Sequence, residues 1–300
     1  MSPRRTTQLL GTATVLLGTS TLVRLVGDHG VGLLVLAAVL TPLLVVPLAL
    51  VGVAQLLLRR RLLAVVTAAL VALNVAWLVP LYTADQPPQG TALTVLNANL
   101  YFGEASASAL VRQVREHRVD VLATEELTPQ AVDALRAAGL EQELPYSELA
   151  SFDNAAGCGL WSRYPLDSLA PFAAFFQSPA AVVHAPGGDV EVHVLHPLPV
   201  TLVGGGGGYR ADYELLTKQV RALDPSRPIV LAGDFNATVD SQAFRQLMGP
   251  TFRDASEVAG SGLQRTWNPV KGWPALLHLD HVLVNEVVGV SSTAVLPLED

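Results

Sequence analysis

The sequence predicts an α/β domain behind a helical membrane anchor, and three observations carry that prediction. The first 82 residues contain three long apolar runs. From residue 91 onward, short apolar segments alternate with helical patterns. Where those apolar segments stop, acids, amides or histidines follow. A chain of 300 residues has room for one large domain and an appendage.

Charge divides the chain at the same place. Residues 1–82 carry six arginines, no lysine and a single acid, Asp28. Residues 83–300 hold 13 basic and 25 acidic side chains, a net charge of −12 that the whole-chain value of −7 conceals. The one cysteine, Cys158, excludes an internal disulfide framework and says nothing about compartment.

The anchor spans residues 1–82. Its first run, residues 8–26, is long enough to cross a bilayer but carries several threonines and Arg24. A cleaved signal peptide is the alternative for this run, although two more runs follow and no small-x-small cleavage site is evident. The second run, residues 31–57, has no charge; the third, residues 62–82, ends in Trp77 and Tyr82, residue types enriched at membrane interfaces. Because about 20 apolar residues span the hydrocarbon core, three transmembrane helices are expected. Arg4 and Arg5 precede the first run, and Arg59, Arg60 and Arg61 separate the second from the third. The positive-inside rule places both clusters in the cytoplasm, so a multi-pass anchor leaves residues 83–300 outside it. Asn74, Pro42 and Pro47 are isolated within the runs, which fits helix packing better than a transport route. Residues 83–91, rich in proline and glycine, form the expected linker, and residues 92–300 the domain.

In that domain ALTVLNANLYF, DVLATEEL, GLWSRYPL, VEVHVLHPLPV, PIVLAGDFN and HLDHVLVNEV each run as a strand into polar positions. Between them ASALVRQVREHRV, DYELLTKQVRAL and SQAFRQLM have helical spacing; Leu110, Val111, Val114 and His117 line one side of the first. The GDFN segment poses the chemical question. Asp234 and Asn236 leave the buried strand Ile229–Ala232, where they suit either a plain turn or a metal-dependent phosphoester site.

Taken in order, these residues resemble the endonuclease/exonuclease/phosphatase superfamily. Its pattern is an Asn ending the first strand, a Glu after an apolar strand, His-x-x-Pro, Gly-Asp-x-Asn and an Asp in a Leu/Ile-Asp-His strand. Asn99, Glu126, His196, Asp234 with Asn236, and Asp280 match it, and SRYPL and RTW fit as well. The resemblance implies a four-layer α/β sandwich, two mixed sheets face to face with helices outside and the site at one end. It implies hydrolysis of a phosphodiester or phosphomonoester with Mg²⁺ or Mn²⁺. Glu126 is the implied metal carboxylate, with Asn99 beside it, since Mg²⁺ takes few protein oxygens and keeps water and phosphate ligands. Asp234 is the implied orienter or base of the attacking water; Asn236 holds phosphate or carboxylate without adding charge, and His196 contacts the phosphate or acts as acid. Arg163 and Tyr164 are expected to anchor structure, and Trp267 and Trp273 to pack.

The resemblance breaks at the C-terminus. The family's closing Ser-Asp-His, whose His is oriented by the acid at the position of Asp280, has no counterpart before Asp300. Strand alternation sends His281 to the face opposite Asp280, and His278 shares Asp280's face as a stand-in. A sequence incomplete at its last strand, which would leave an unpaired edge, is the expectation over an impaired copy.

The −12 charge argues against tight sequence-independent binding of nucleic acid. The glycine run 204–208 reads as a flexible linker or a flap, and Arg210 beyond it as a candidate phosphate ligand. The leading expectation is a membrane-embedded phosphoesterase acting on a phosphate ester outside the cytoplasm. The alternative is a non-catalytic binding module at the cell surface, which the retained acids disfavour.

Overall fold

A computed structural model describes residues 2–86, 89–200, 206–268 and 273–298. Four helices come first: α1 (Pro3–Val26), α2 (Gly32–Val39), α3 (Thr41–Leu57) and α4 (Arg61–Leu78), followed by a 3-10 turn, Val79–Tyr82. The domain then adds β1 (Val95–Asn99), α5 (Ala107–Glu116), β2 (Val121–Glu125), α6 (Pro129–Ala137), α7 (Leu140–Glu143), β3 (Tyr146–Ala150) and β4 (Cys158–Ser162). Its second half holds β5 (Leu166–Leu169), β6 (Ala180–Ala185), β7 (Gly188–Val194), α8 (Gly206–Val220), β8 (Ile229–Asp234), α9 (Gln242–Met248), β9 (Phe252–Asp254), α10 (Ala255–Val258) and β10 (Asp280–Asn285).

The strands form two mixed sheets, one of four in the order β1-β2-β4-β3 and one of six in the order β5-β6-β7-β8-β10-β9. Val121, Ala123 and Leu160 of the first meet Val183, Val192, Val230 and Ala232 of the second in an apolar interface. Strands buried on both faces need continuous apolar runs, which is why VLA and IVLA do not alternate. The outer face of the smaller sheet is covered by α5, α6 and α7 through Leu110, Val114, Leu135 and Leu140. Local chemistry sets these helices: Ser106 caps α5, accepting from Ala109 N, and Thr128 caps α6 ahead of Pro129. The expected four-layer α/β sandwich is the fold observed.

The outer face of the larger sheet is covered differently. Tyr209, Tyr213 and Leu216 of α8 and Phe244 and Leu247 of α9 share their cluster with Val35 and Val39 of α2. The uncharged run 31–57 is therefore not one straight span. It breaks at Leu40 into α2 and α3, bent by 67°, because α2 is seated on the domain while α3 joins α1 and α4. Two helices, Arg4–Val26 and Arg61–Tyr82, are long and apolar enough to cross a membrane, and the bent pair makes a third only if counted as one span. Hydropathy cannot separate a core helix from a membrane helix when both bury apolar side chains.

Polar side chains fasten the three long helices. Gln55 Nε2 donates to Thr14 Oγ1 at 2.7 Å, Thr67 Oγ1 donates to Gln55 Oε1 at 2.9 Å, and Asn74 Nδ2 donates to Thr21 Oγ1 at 2.8 Å. Asn74 is thus partnered rather than isolated, as interhelical packing requires. The linker is pinned at its start, where Asp85 N donates to Val258 O and Asp85 pairs with Arg253 at 2.5 Å.

Candidate active site

The sheet registers bring the expected acids to one end of the sandwich. Asn99 pairs with Glu125 where parallel β1 and β2 end, and Asp280 pairs with Asp234 in the antiparallel ladder of β10 and β8. Across the two sheets Asn99 Nδ2 donates to Asp234 Oδ2 at 3.0 Å and to Glu126 Oε1 at 3.1 Å. One amide therefore holds two carboxylates within reach of a common ligand. Glu126 adopts a positive φ of 54°, turning its side chain out of the strand line, and its other oxygen accepts from Phe102 N at 2.7 Å.

Asp234 owes its place to Gly233. A Cβ there would lie 1.8 Å from Leu195 O, so only glycine lets the chain leaving β7 approach β8. Asn236, with φ 49°, donates its backbone N to Asp234 Oδ1 at 2.8 Å and its side-chain Nδ2 to Pro197 O at 3.0 Å. It thereby ties the strand-end loop to the segment bearing His196. His196 is buried against Phe176, ring centroids 4.9 Å apart, and its Nδ1 has no partner. Burial lowers its pKa to about 4, partly opposed by the charge of Glu126, so the ring is neutral near pH 7.

Three residues outside the expected set complete the cluster. Asn97, two residues before Asn99 on the same strand face, reaches Asp280 Oδ1 at 3.5 Å, the outer limit of a hydrogen bond. Thr266 Oγ1, from RTW, accepts from Asp280 N at 3.1 Å and fixes the entry to β10. Glu125 is fully buried, and among the described residues neither of its side-chain oxygens has a hydrogen-bond partner. The period-2 pair Asn97/Asn99 was a readable signal; the burial of Glu125 rather than Glu126 was not.

Burial raises the pKa of Asp234 to about 6, with Asn236 and Asn99 opposing it. Burial and then the Asp234 charge raise Asp280 to about 7. Glu125 is raised well above the usual range by burial and by Asp280 and Asp234. Among the described residues none of Glu125, Glu126, Asp234 and Asp280 forms an ion pair with a basic side chain. Glu126 and Asp234 converge on one amide with no basic side chain paired to either among the described residues, a donor set that fits a hard divalent ion, which Glu126 and Asn99 would hold, with Asp234 beside them.

Other expected residues lie elsewhere. Arg210 is on α8, where it pairs with Glu214 at 2.7 Å and packs beside Gly30 of the anchor; it is not part of this cluster. Gly204 and Gly205 lie outside the described residues, and Gly206–Gly208 open α8. His281 does face away from Asp280, bonding Asp254 Oδ2 through Nδ1 at 2.5 Å and Ala237 O through Nε2 at 2.9 Å. His278 packs its ring against His281, centroids 4.1 Å apart and tilted by 41°; it precedes the strand, so alternation does not govern where it points. Asp254, His278 and His281 form a second His/Asp group compact enough for a cation. Arg163 anchors structure as expected, through Asp120 and Val119 O. Trp267 and Trp273 are exposed, not packed.

Residues 96–300 match the model of the Endonuclease/Exonuclease/phosphatase family. The chain belongs to this family. Among solved structures it is similar to a 3' phosphatase from Neisseria bound to product DNA hairpin, with a TM-score of 0.54, 19% identity, and coverage of 65% of this chain and 88% of that one. It is also similar to an AP endonuclease from Archaeoglobus fulgidus, TM-score 0.53 at 13% identity, covering 65% and 87%. A D. rerio TDP2 complexed with single strand DNA product gives 0.52 at 16% identity, covering 64% and 83%. No curated protein matches the chain. At these identities the likeness to solved structures is one of fold. The family match runs from β1 through β10, the segment that supplies every residue of the site.

Proposed function

We propose that this family member is a membrane-anchored, divalent-metal-dependent phosphoesterase that works outside the cytoplasm. The observation that carries the reading is the single amide of Asn99 holding Glu126 and Asp234 together, with Asp280 in register opposite Asp234. Mg²⁺ or Mn²⁺, when bound, supplies positive charge to the phosphate oxygens. Asp234, the acid ionised first, takes a proton from water as its oxygen bonds to phosphorus. Asp280, which keeps its proton up to about 7, returns one to the leaving oxygen as the P–O bond breaks. His196 is neutral and donates a ring N–H to the phosphate; Asn236 keeps its loop in place.

The arginines support the outward topology. Arg4 and Arg5 open α1, and Arg59–Arg61 lie at the turn between α3 and α4, while Arg24, at the other end of α1, meets Asp240 of the domain. Under the positive-inside rule the domain is extracytoplasmic.

The test is hydrolysis of bis-p-nitrophenyl phosphate by the full chain in detergent, with Mg²⁺, with Mn²⁺ and with chelator. Turnover that needs the metal and disappears in Glu126→Ala is expected. A folded protein with no metal-dependent turnover on mono- or diesters would sink the reading.

A further inference from the structure

We infer that the phosphoester this site takes is one carried in the membrane surface, the headgroup phosphate of a lipid in the leaflet its own anchor enters. The inference rests on the phosphoesterase reading and adds the substrate class. Two independent placements support it.

The first is where the anchor sits. The loops that carry the chain out of β8 after Asp234 and into β10 before Asp280 are the ones seated on the helices. Arg24 of α1 meets Asp240, Asp28 Oδ2 accepts from Gln242 N at 2.8 Å, and His29 N donates to Gln242 Oε1 at 3.1 Å. Thr238, Val239, Leu277 and His278 line a small cavity with Val39 and Pro42, at the bend between α2 and α3. The catalytic end of the sandwich is thus its membrane-proximal end. The opposite end, where Asn285 bonds Ile229 N and Arg227 O, has no such contact among those bonds.

The second is where the exposed aromatic rings are. Beyond residue 83, the exposed Phe, Tyr and Trp among the described residues are Tyr101, Phe102, Tyr146, Phe152, Phe175, Trp267 and Trp273. All but Tyr146 lie at the catalytic end. Tyr101 and Phe102 follow the end of β1, and Phe152 follows β3, whose Ala150 pairs with Cys158 opposite Glu125. Phe175 precedes β6, whose Ala180 pairs with His193, and the two tryptophans precede β10. Tyr101 and Phe102 are held outward at positive φ, 49° and 56°, a conformation that non-glycine residues adopt at a cost. Exposed aromatic groups collected on one rim mark a contact surface, and rings of this kind settle at the headgroup level of a bilayer. Rings could also stack nucleic-acid bases, but that mode relies on a basic groove, and residues 83–300 carry −12.

The experiment uses the full chain reconstituted in vesicles of phosphatidylethanolamine and phosphatidylglycerol. Loss of lipid phosphodiester is followed by ³¹P NMR beside hydrolysis of bis-p-nitrophenyl phosphate and of a single-stranded oligodeoxynucleotide. Lipid turnover is expected, and the triple variant Phe152→Ser, Phe175→Ser, Trp273→Ser should lower the ratio of lipid to soluble-ester turnover by roughly tenfold or more, as loss of buried apolar area at the interface requires. In the parent protein, brominated lipid should quench tryptophan fluorescence more than in Trp267→Phe, Trp273→Phe. Hydrolysis of the soluble ester with the lipids left intact overturns the inference and leaves the phosphoesterase reading standing. Faster cleavage of the oligonucleotide, slowed by the same triple variant, overturns it in favour of nucleic acid. Inactivity on all three esters overturns both.

Discussion

Asp234 and Asp280 are direct partners in the ladder between β8 and β10, and the charge of Asp234 helps to raise the pKa of Asp280. Asp234 is buried and Asp280 half-buried, and among the described residues neither forms an ion pair with a basic side chain.

That pairing sets a pH profile. A base at Asp234 must be ionised, so kcat/KM rises as pH passes about 6; an acid at Asp280 must be protonated, so it falls as pH passes about 7. The two limbs belong to the pair rather than to either residue. Asp280→Asn should remove the alkaline limb and cost about 10²–10⁴ in kcat. A profile still bell-shaped in that variant would refute the assignment.

Glu125 and Glu126 are neighbours with opposite expectations. Burial and the charges of Asp280 and Asp234 keep Glu125 protonated, so Glu125→Gln preserves shape and charge; its activity should stay within about threefold of the parent, as for a near-isosteric neutral swap. Glu126→Gln removes a metal carboxylate and should lower kcat/KM by roughly 10²-fold or more. Because Glu125's folded pKa is raised, the native state holds more protons and loses stability as pH rises above the ordinary carboxyl range. Glu125→Gln should flatten that loss in thermal melts taken from pH 5 to pH 8.

Arg24 ties α1 to the domain. Asp240 is fully buried beneath it, and the guanidinium also lies over the Trp77 ring at 4.1 Å. Arg24→Ala strands a buried charge and should cost about 3–5 kcal/mol. Adding Asp240→Asn should recover much of this; a cycle showing simple additivity would dismiss the pair. Val35→Ala and Val39→Ala, which open the cluster shared with Phe244 and Leu247, should each cost about 1–3 kcal/mol in melts of the full chain.

Asp254 and His281 form a buried pair behind the site. Burial raises Asp254, but the charge and hydrogen bond of His281 outweigh it and hold the acid well below its ordinary range. Burial lowers His281, but Asp254 and Ala237 O outweigh it and raise the ring. Asp254 therefore adds stability above its unfolded pKa that is lost as pH falls through the folded value. His281 adds stability below its unfolded pKa that is lost as pH rises through its folded value. A stability plateau between those limits is expected, and His281→Ala should lower it by about 3–5 kcal/mol by leaving Asp254 alone. Denaturant melts at several pH values check both; an unchanged pH dependence in His281→Ala would contradict the pairing.

Much of the site was legible because its residues sit at strand ends. Asn99, Asp234 and Asp280 each close or open an apolar run, and an acid or amide at such a junction has few structural reasons to be there. Arg210 misled because a cation next to a glycine run is visible in sequence, whereas its Glu214 partner on the next helical turn decides where it points.

The sequence by itself determined the order of elements, the division between apolar helices and α/β domain, and the type of chemistry, since these follow from periodicity and from side chains at strand ends. Only the tertiary structure decided that α2 belongs to the domain's core, that Glu125 rather than Glu126 is buried, and that the end carrying Asn99, Asp234 and Asp280 faces the anchor. The physical reason is that burial and facing come from contacts between segments far apart in the chain, such as Val35 with Phe244 and Arg24 with Asp240. An apolar run states that it will be buried; which partner buries it is settled by packing.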